Sequence, residues 1–325
     1  AQSVRDFDVL VIDDGSTDDT GEVIDRFALP GLRYIRTENA GLVSALNTGL
    51  SLLDCDYVAR IDADDICFAN RLAVQLEFIE FTRADAIASR AINMDSSGRP
   101  WGLSPDNETF FDYDPAAVPA REPYLPHPFL MAQLDALIAV GGYRHAHLAE
   151  DSDLYWRLAE GHRIALQDSV LGQYRIHTKS VSAKGLASAR IQAFYSQLAA
   201  LNAVRRRNNR DEVPYEHTLA EVKESAGSVE SLIALVAPHL DRLEEDHLRL
   251  ATAIKLMDIA TYRELALTPS DLGLARGLAS SPALPQDHAA EVERIMGRID
   301  EWYPKDQPAA SAARPGVLSF FNRRA

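Results

Sequence analysis

The sequence predicts an α/β fold with a mostly parallel sheet flanked by helices, followed by an all-helical extension. Three observations carry that expectation. Short runs rich in Val and Ile alternate with segments of helical spacing through about residue 182, two of those runs end in clustered aspartates, and beyond Ser182 only helical spacing remains.

Phe7–Ile12 is apolar apart from Asp8, as in a parallel strand covered on both faces. The loop Asp13-Asp14-Gly15-Ser16-Thr17 follows. Ser16 with Asp19 forms a capping-box pattern for a helix carrying Val23, Ile24 and Phe27. A strand at Leu32–Arg36 leads to Leu42, Ala45, Leu46, Gly49, Leu50 and Leu53, one face of a second helix. Tyr57–Ile61 is the next strand. It ends in Asp62-Ala63-Asp64-Asp65, after which Leu72, Leu76 and Ile79 mark a third helix. Residues 95–126 carry Gly, Pro, Asp and Asn with little periodicity and read as a long irregular segment, a kind that is often functional. Regular structure resumes at Phe129–Met131, then a helix over Leu134–Val140, a Gly141-Gly142 stop, a helix from near Glu150 and a strand near Val170–Ile176. Helical spacing then runs through Ile191–Leu201, Leu219–Val236, Leu240–Met257 and Val292–Ile299. The expected organisation is a domain over residues 1–182, a helical extension over 183–307 and a frayed or amphipathic tail over 308–325.

Composition narrows the partners. The 325 residues are 46% hydrophobic and 25% charged, as in an ordinary globular chain. Acidic residues outnumber basic ones 48 to 33, giving a formal charge of -15, and such a surface repels nucleic acid and anionic headgroups unless a local basic patch intervenes. Cys55 and Cys67 have neither the number nor the spacing of a disulfide framework or a structural zinc site, so a reducing compartment is expected. No stretch approaches the ~18 apolar residues of a spanning helix.

Three acidic groups stand where chemistry is expected in a parallel α/β sheet, beyond strand ends or at a helix start. Hard cations such as Mg²⁺ and Mn²⁺ take oxygen ligands and bridge to phosphates, so Asp62-Ala63-Asp64-Asp65 suits a metal–diphosphate site; a polar helix-capping loop is the competing reading. Asp13 and Asp14 can accept hydrogen bonds from a base or ribose, with Gly15 allowing close approach, or they can simply form an N-cap and turn. Glu150-Asp151 opens a helix and can present a general base, although acids favour helix N-termini for stability alone.

In this order the three groups resemble the inverting glycosyltransferases of family 2, which have the GT-A fold with a mixed sheet. The carrying text is Asp8–Asp18, Asn39-Ala40-Gly41-Leu42 with Ala45–Gly49, Arg60–Asp65 with Asn70-Arg71-Leu72, His127-Pro128, Val140–Tyr143, Ala149–Leu154 and Tyr174–His177. The resemblance covers residues 1 to about 182. It implies that Asp13, Asp14 and Ser16 hold the nucleoside of a nucleotide-sugar donor, UDP-sugar being favoured. Asp62 and Asp64 form the DXD motif that binds Mn²⁺ or Mg²⁺, and Asp151, supported by Glu150, is the base that deprotonates a saccharide or lipid-linked acceptor. Arg60 and Arg71 are candidates to steer donor phosphates or to pair with neighbouring acids. His177 is a candidate metal ligand and His127 a contact to acceptor or diphosphate, against the structural role a lone His more often has. Trp101, Tyr113 and Tyr124 are candidates to stack on an acceptor sugar, or to pack.

The resemblance also implies a cytoplasmic enzyme of bacterial surface polysaccharide or glycolipid assembly, with peripheral attachment to the inner membrane face or a protein partner as roles for the helical extension. Family members normally begin with a further strand and helix upstream of Ala1–Asp6, so the expectation is that upstream residues precede this sequence. Two other functions fit parts of the pattern. A non-catalytic scaffold retains the fold without turnover. A Mg²⁺-dependent phosphatase uses a strand-end Asp-x-Asp but needs Thr or Val where Ile66 stands, and it leaves Asp13–Asp18 and Glu150-Asp151 unexplained.

Overall fold

The computed structural model describes residues 2–27, 30–104, 113–176, 185–279 and residue 297. They fall into two compact units, one holding residues 2–27, 30–104, 124–145 and 157–176, the other 113–123, 146–156, 185–279 and 297. The border therefore does not follow the change of periodicity at 182 alone, because two short upstream segments group with the helices. The tail expected at 308–325, His177, and all of 292–299 but residue 297 lie outside the described residues.

The first unit contains β1 (Val9–Asp13), α1 (Thr20–Asp25), β2 (Leu32–Arg36), α2 (Leu42–Ser51), β3 (Tyr57–Ala59), β4 (Ile66–Cys67), α3 (Arg71–Thr82), β5 (Ala86–Met94), β6 (Pro100–Ser104), β7 (Leu130–Gln133) and α4 (Leu134–Ala139). After α5 (Glu150–Gly161), whose residues divide between the units, it closes with β8 (Ile164–Arg175). β1 and β2 pair in parallel as a two-stranded sheet, and the larger sheet runs β3-β7-β5-β8-β4 with β6 on β5. β5·β8 is parallel, whereas β3·β7, β5·β7, β5·β6 and β4·β8 are antiparallel. The sheet is mixed, as expected for GT-A, but antiparallel ladders predominate among the described residues, which corrects the expectation of a mostly parallel one. β6 follows β5 through a tight turn, the connection that suits an antiparallel neighbour, whereas the parallel β8 comes after α5. Ile79 of α3, Ala84, Ile87 of β5, Met131 of β7 and Ala165 of β8 form the core beneath α3, with Leu72 and Leu76 against it.

The capping box expected at Ser16 does not form. α1 begins at Thr20, its N-cap Asp19 makes no side-chain cap bond, and the Ser16 amide is taken by Asp13. At the other end of the unit, Gly172 of β8 lies against β4, and a Cβ there would overlap the Phe129 ring and the Ile66 carbonyl. Gly172→Ala is therefore expected to cost about 1–3 kcal/mol as an overpacking substitution, read as a lowered denaturant midpoint; an unchanged midpoint would show that β4 is free to shift.

The second unit is built on α6 (Gly185–Arg207), which is buried on nearly every face, as a central helix must be. Around it lie α7 (Leu219–Ser225), α8 (Val229–Val236), α9 (Arg242–Tyr262) and α10 (Pro269–Ala279). Phe194, Leu198 and Leu201 of α6 share one core with Leu232 and Ile233 of α8 and with Leu248, Ile254 and Leu256 of α9. Capping boxes at Thr218/Glu221 and Asp241/Glu244 start α7 and α9. Two buried ion pairs tie α6 to its neighbours: Arg190 to Asp271 of α10 at 2.7 Å and Arg205 to Glu244 of α9 at 2.6 Å. No helix among the described residues is long and apolar enough to cross a membrane.

Candidate active site

At the end of β1, Asp13 is buried and its carboxylate shapes the turn that follows. One oxygen accepts the Ser16 amide at 2.7 Å, the other the Tyr34 hydroxyl at 2.5 Å, and the Arg36 guanidinium stands 3.8 Å away. The Ser16 hydroxyl and amide and the Tyr34 hydroxyl lower its pKa to about 2, so it stays ionised at neutral pH. Asp14 reaches across to α2. Its two oxygens accept the Ala40 and Gly41 amides, each at 2.8 Å, and place a negative charge at the N-terminus of a helix whose N-cap, Gly41, has no side chain of its own. Gly15 adopts φ +75°, and a Cβ there would press on the Asn39 backbone. Both carboxylates thus organise the β1 turn.

At the end of β3, Asp62, Asp64 and Asp65 crowd one turn closed by the Asp65 amide on the Asp62 carbonyl at 3.1 Å. Asp64 is exposed, and Asp62 is half-buried with one oxygen 2.5 Å from Arg60. Asp65 accepts the Arg175 amide at 2.8 Å through one oxygen, while its other oxygen is buried with no hydrogen-bond partner. Burial and the like charges of Asp62 and Asp64 push its pKa up to about 7, against the opposing Arg175 hydrogen bond. Two arginines hold the backbone of this turn: Arg71 donates to the Arg60 carbonyl at 2.7 Å and Arg175 to the Asp64 carbonyl at 2.8 Å.

The donor set fits a hard divalent cation. Three carboxylates repel one another within one turn, and one of them carries a buried oxygen with nothing to bond. Among the described residues no group of three or more His, Cys, Asp or Glu converges into a complete cage. Mg²⁺-type sites seldom need one, since such cations keep waters and bind through one or two carboxylates plus substrate phosphates.

Other expected site residues turn out to be structural. Arg71 is 1% exposed; besides the Arg60 carbonyl it bonds Gln75, Cys67 and the Leu130 carbonyl, and it lies over the Phe129 ring. It braces the turn from below and is not placed to steer a phosphate. His127 is buried and shares a hydrogen bond of 2.8 Å with the Tyr143 hydroxyl, and burial, with Arg60 nearby, holds its pKa well below the ordinary range. His127 thus has the buried, hydrogen-bonded surroundings of the structural role that a lone His more often has. The same corner explains two further motifs: Asn47 clamps the Tyr143 backbone with two bonds of 2.9 Å, and Gly142, at φ +64°, leaves room for the Asn47 side chain. Trp101 and Tyr124 are exposed, whereas Tyr113 packs edge-on against Trp156.

In the helical unit, Glu150 and Asp151 occupy the first turn of α5, both half-buried. Asp151 accepts the Ser152 amide at 2.9 Å, and the fully buried Asp153 accepts the Tyr215 hydroxyl at 2.9 Å. Sequence reasoning counted Asp65 only as one of a cluster and assigned no individual role to it, Arg175, Tyr34 or Arg36. Asp65 stood in the acidic run and Arg175 in the Tyr174–His177 motif, so a signal existed for both; for Tyr34 and Arg36 only the parallel register of β1 on β2 reveals the role.

Comparison with known proteins places part of the chain among glycosyltransferases. Residues 1–140 match the family model described as Glycosyl transferase family 2. An uncharacterized glycosyltransferase of Rickettsia bellii is 41% identical over 81 residues, 24% of this chain and 12% of that protein. The amylovoran biosynthesis glycosyltransferase AmsE of Erwinia amylovora is 30% identical over 181 residues, 54% of this chain and 66% of AmsE. The chain thus spans a small part of the first relative and a larger part of the second. The crystal structure of S. aureus TarS 1-349 in complex with UDP-GlcNAc aligns with a TM-score of 0.51 at 16% identity, covering 89% of this chain and 85% of that one. Residues 1–140, which carry both acidic turns on a GT-A-type fold, thus match glycosyl transferase family 2.

Proposed function

We propose that the chain is a metal-dependent inverting glycosyltransferase that moves a sugar from a nucleotide diphosphate sugar, UDP-sugar first, to a hydroxyl of a saccharide or lipid-linked saccharide. Assembly of bacterial surface polysaccharide or glycolipid is the proposed setting, on the cytoplasmic side of the membrane, with any membrane or protein attachment assigned to the helical extension. The observation that carries the reading is the pair of acidic turns at the ends of β1 and β3, both within the family-matched residues and both held in place by hydrogen bonds from the fold.

In this reading the β1 turn, with Asp13, Asp14 and Ser16, receives the nucleoside. Asp62 and Asp64 hold Mn²⁺ or Mg²⁺, with Arg60 fixing the orientation of Asp62. The bound cation supplies Lewis-acid stabilisation of the departing diphosphate. Asp151 takes the proton of the acceptor hydroxyl as its oxygen attacks the anomeric carbon opposite the leaving group. One displacement then forms the new glycosidic bond, breaks the bond to diphosphate and inverts the configuration, as the two-sided arrangement of inverting glycosidases does for water.

Calorimetric titration of UDP with Mn²⁺ and then with EDTA tests donor and metal together. The expected result is binding in Mn²⁺ that weakens at least tenfold in EDTA, a difference of about 1.4 kcal/mol. Metal-independent binding would remove the cation from the reading. No binding by UDP, GDP or dTDP would favour the scaffold reading.

A further inference from the structure

Within the helical unit, the carboxylate of Glu122 collects donors from three helices. One oxygen accepts the Ser152 hydroxyl of α5 at 2.7 Å. The other accepts Lys255 Nζ of α9 at 2.5 Å and the Ser196 hydroxyl of α6 at 2.8 Å, with Gln197 Nε2 of α6 at 3.4 Å. Gln197 also accepts the Ala120 amide at 2.8 Å, so the segment that carries Glu122 is itself fastened to α6. The side chains of Glu122 and Lys255 are only 10% and 28% exposed. Ser152, held by Glu122, donates its own amide to Asp151 at 2.9 Å. A continuous path therefore runs from α9 through Lys255, Glu122 and Ser152 to the residue assigned as the base.

Two considerations give that path a purpose beyond stability. A mostly buried ion pair gains little over an apolar pair of equal volume, because desolvation offsets the attraction. Four donors on one carboxylate do, however, fix its position and that of every donor. Burial also lowers the pKa of Lys255, yet attraction by Glu122, and beyond it by Asp258 and Asp151, outweighs burial, so the ammonium remains charged beside the first turn of α5.

We propose that Glu122 and Lys255 are positioning residues that lock Ser152, and through it Asp151, on the first turn of α5. The helical extension is then part of the catalytic apparatus, since α6 and α9 hold the turn that presents the base. The inference rests on the reading of Asp151 as that base.

The test compares the full-length chain with Lys255→Met, with the double variant Glu122→Gln/Lys255→Met, which leaves no unpaired buried charge, and with the conservative Lys255→Arg. Hydrogen exchange over residues 149–158 should accelerate in the first two, with exchange in residues 30–104 unchanged. Sugar release is followed with the nucleotide sugar that the wild type turns over fastest in a panel of UDP-, GDP- and dTDP-sugars. kcat should fall about ten- to a hundredfold, as for a displaced catalytic group, with the KM for donor and the affinity for UDP held within about twofold. Lys255→Arg should restore most of the loss. Unchanged exchange over 149–158 in the double variant would overturn the lock. A fall in kcat accompanied by lost UDP binding would also overturn it, by showing general unfolding. Full activity in Asp151→Asn would instead remove the base reading on which the inference rests. An inactive Asp151→Asn beside a fully active double variant would sink this inference alone.

Discussion

Asp151→Asn is expected to lower turnover by about 10²–10⁴-fold, the range that a positioned general base supplies, while leaving UDP affinity unchanged. The substitution is close to isosteric, and an amide oxygen can still accept the Ser152 amide that Asp151 now holds at 2.9 Å. Asn also remains acceptable near a helix N-terminus, so the first turn of α5 should persist. What disappears is an ionised group able to take a proton. The matching variant Glu150→Gln removes the neighbouring charge and keeps the base, and it should cost much less. Steady-state kinetics beside calorimetry separates the two effects: a loss confined to kcat identifies a group used in the chemical step, whereas a raised KM with normal kcat would identify a binding group. Wild-type turnover by Asp151→Asn would exclude it as base and return the helix-capping role, to which acids at the first turn of a helix are suited in any case.

The sequence revealed most where local pattern and tertiary demand coincide. β2 spans the residues expected of it, and α2 and α3 follow from apolar positions at spacings of three and four. β5 escaped notice, although it is the strand to which β6, β7 and β8 all pair. Its sequence, Ala-Ile-Ala-Ser-Arg-Ala-Ile-Asn-Met, has small and polar residues where a half-buried strand would alternate, because it is covered along nearly its whole length and owes its state to its neighbours. The acidic turns were legible as clusters, but their internal division of labour was not. Whether Asp14 faces solvent or caps α2 depends on contacts 26 and 27 residues away. Arg71 and His127 stayed open for the same reason: a polar residue within a motif reads equally as a ligand contact or a structural element until its burial is known. The path from Lys255 to Asp151 joins residues more than a hundred positions apart, which no local pattern encodes.

Asp64→Ala should abolish the Mn²⁺-dependent part of UDP binding and reduce turnover to background, with the fold intact. Asp64 is exposed, and one tie of this position to the fold is through its backbone carbonyl, which Arg175 holds at 2.8 Å whatever the side chain. Removing the carboxylate therefore takes away a candidate ligand while leaving that backbone tie in place, and thermal stability without metal is expected to stay close to that of the wild type because the crowding of acidic groups in the turn is relieved. Asp62→Ala is the less clean experiment, since it also strips Arg60 of its partner at 2.5 Å and confounds loss of the metal with a disturbed strand end. Cation-dependent binding contributes whatever separates the Mn²⁺ and EDTA titrations of the wild type, so the Asp64→Ala isotherm in Mn²⁺ should superimpose on the wild-type isotherm in EDTA. Retention of the Mn²⁺ effect in Asp64→Ala would place the cation on Asp62 and Asp65 instead. The buried oxygen of Asp65 that lacks a partner in the fold would then be the ligand to remove next, by Asp65→Asn, with loss of the Mn²⁺ effect in that variant as the deciding result.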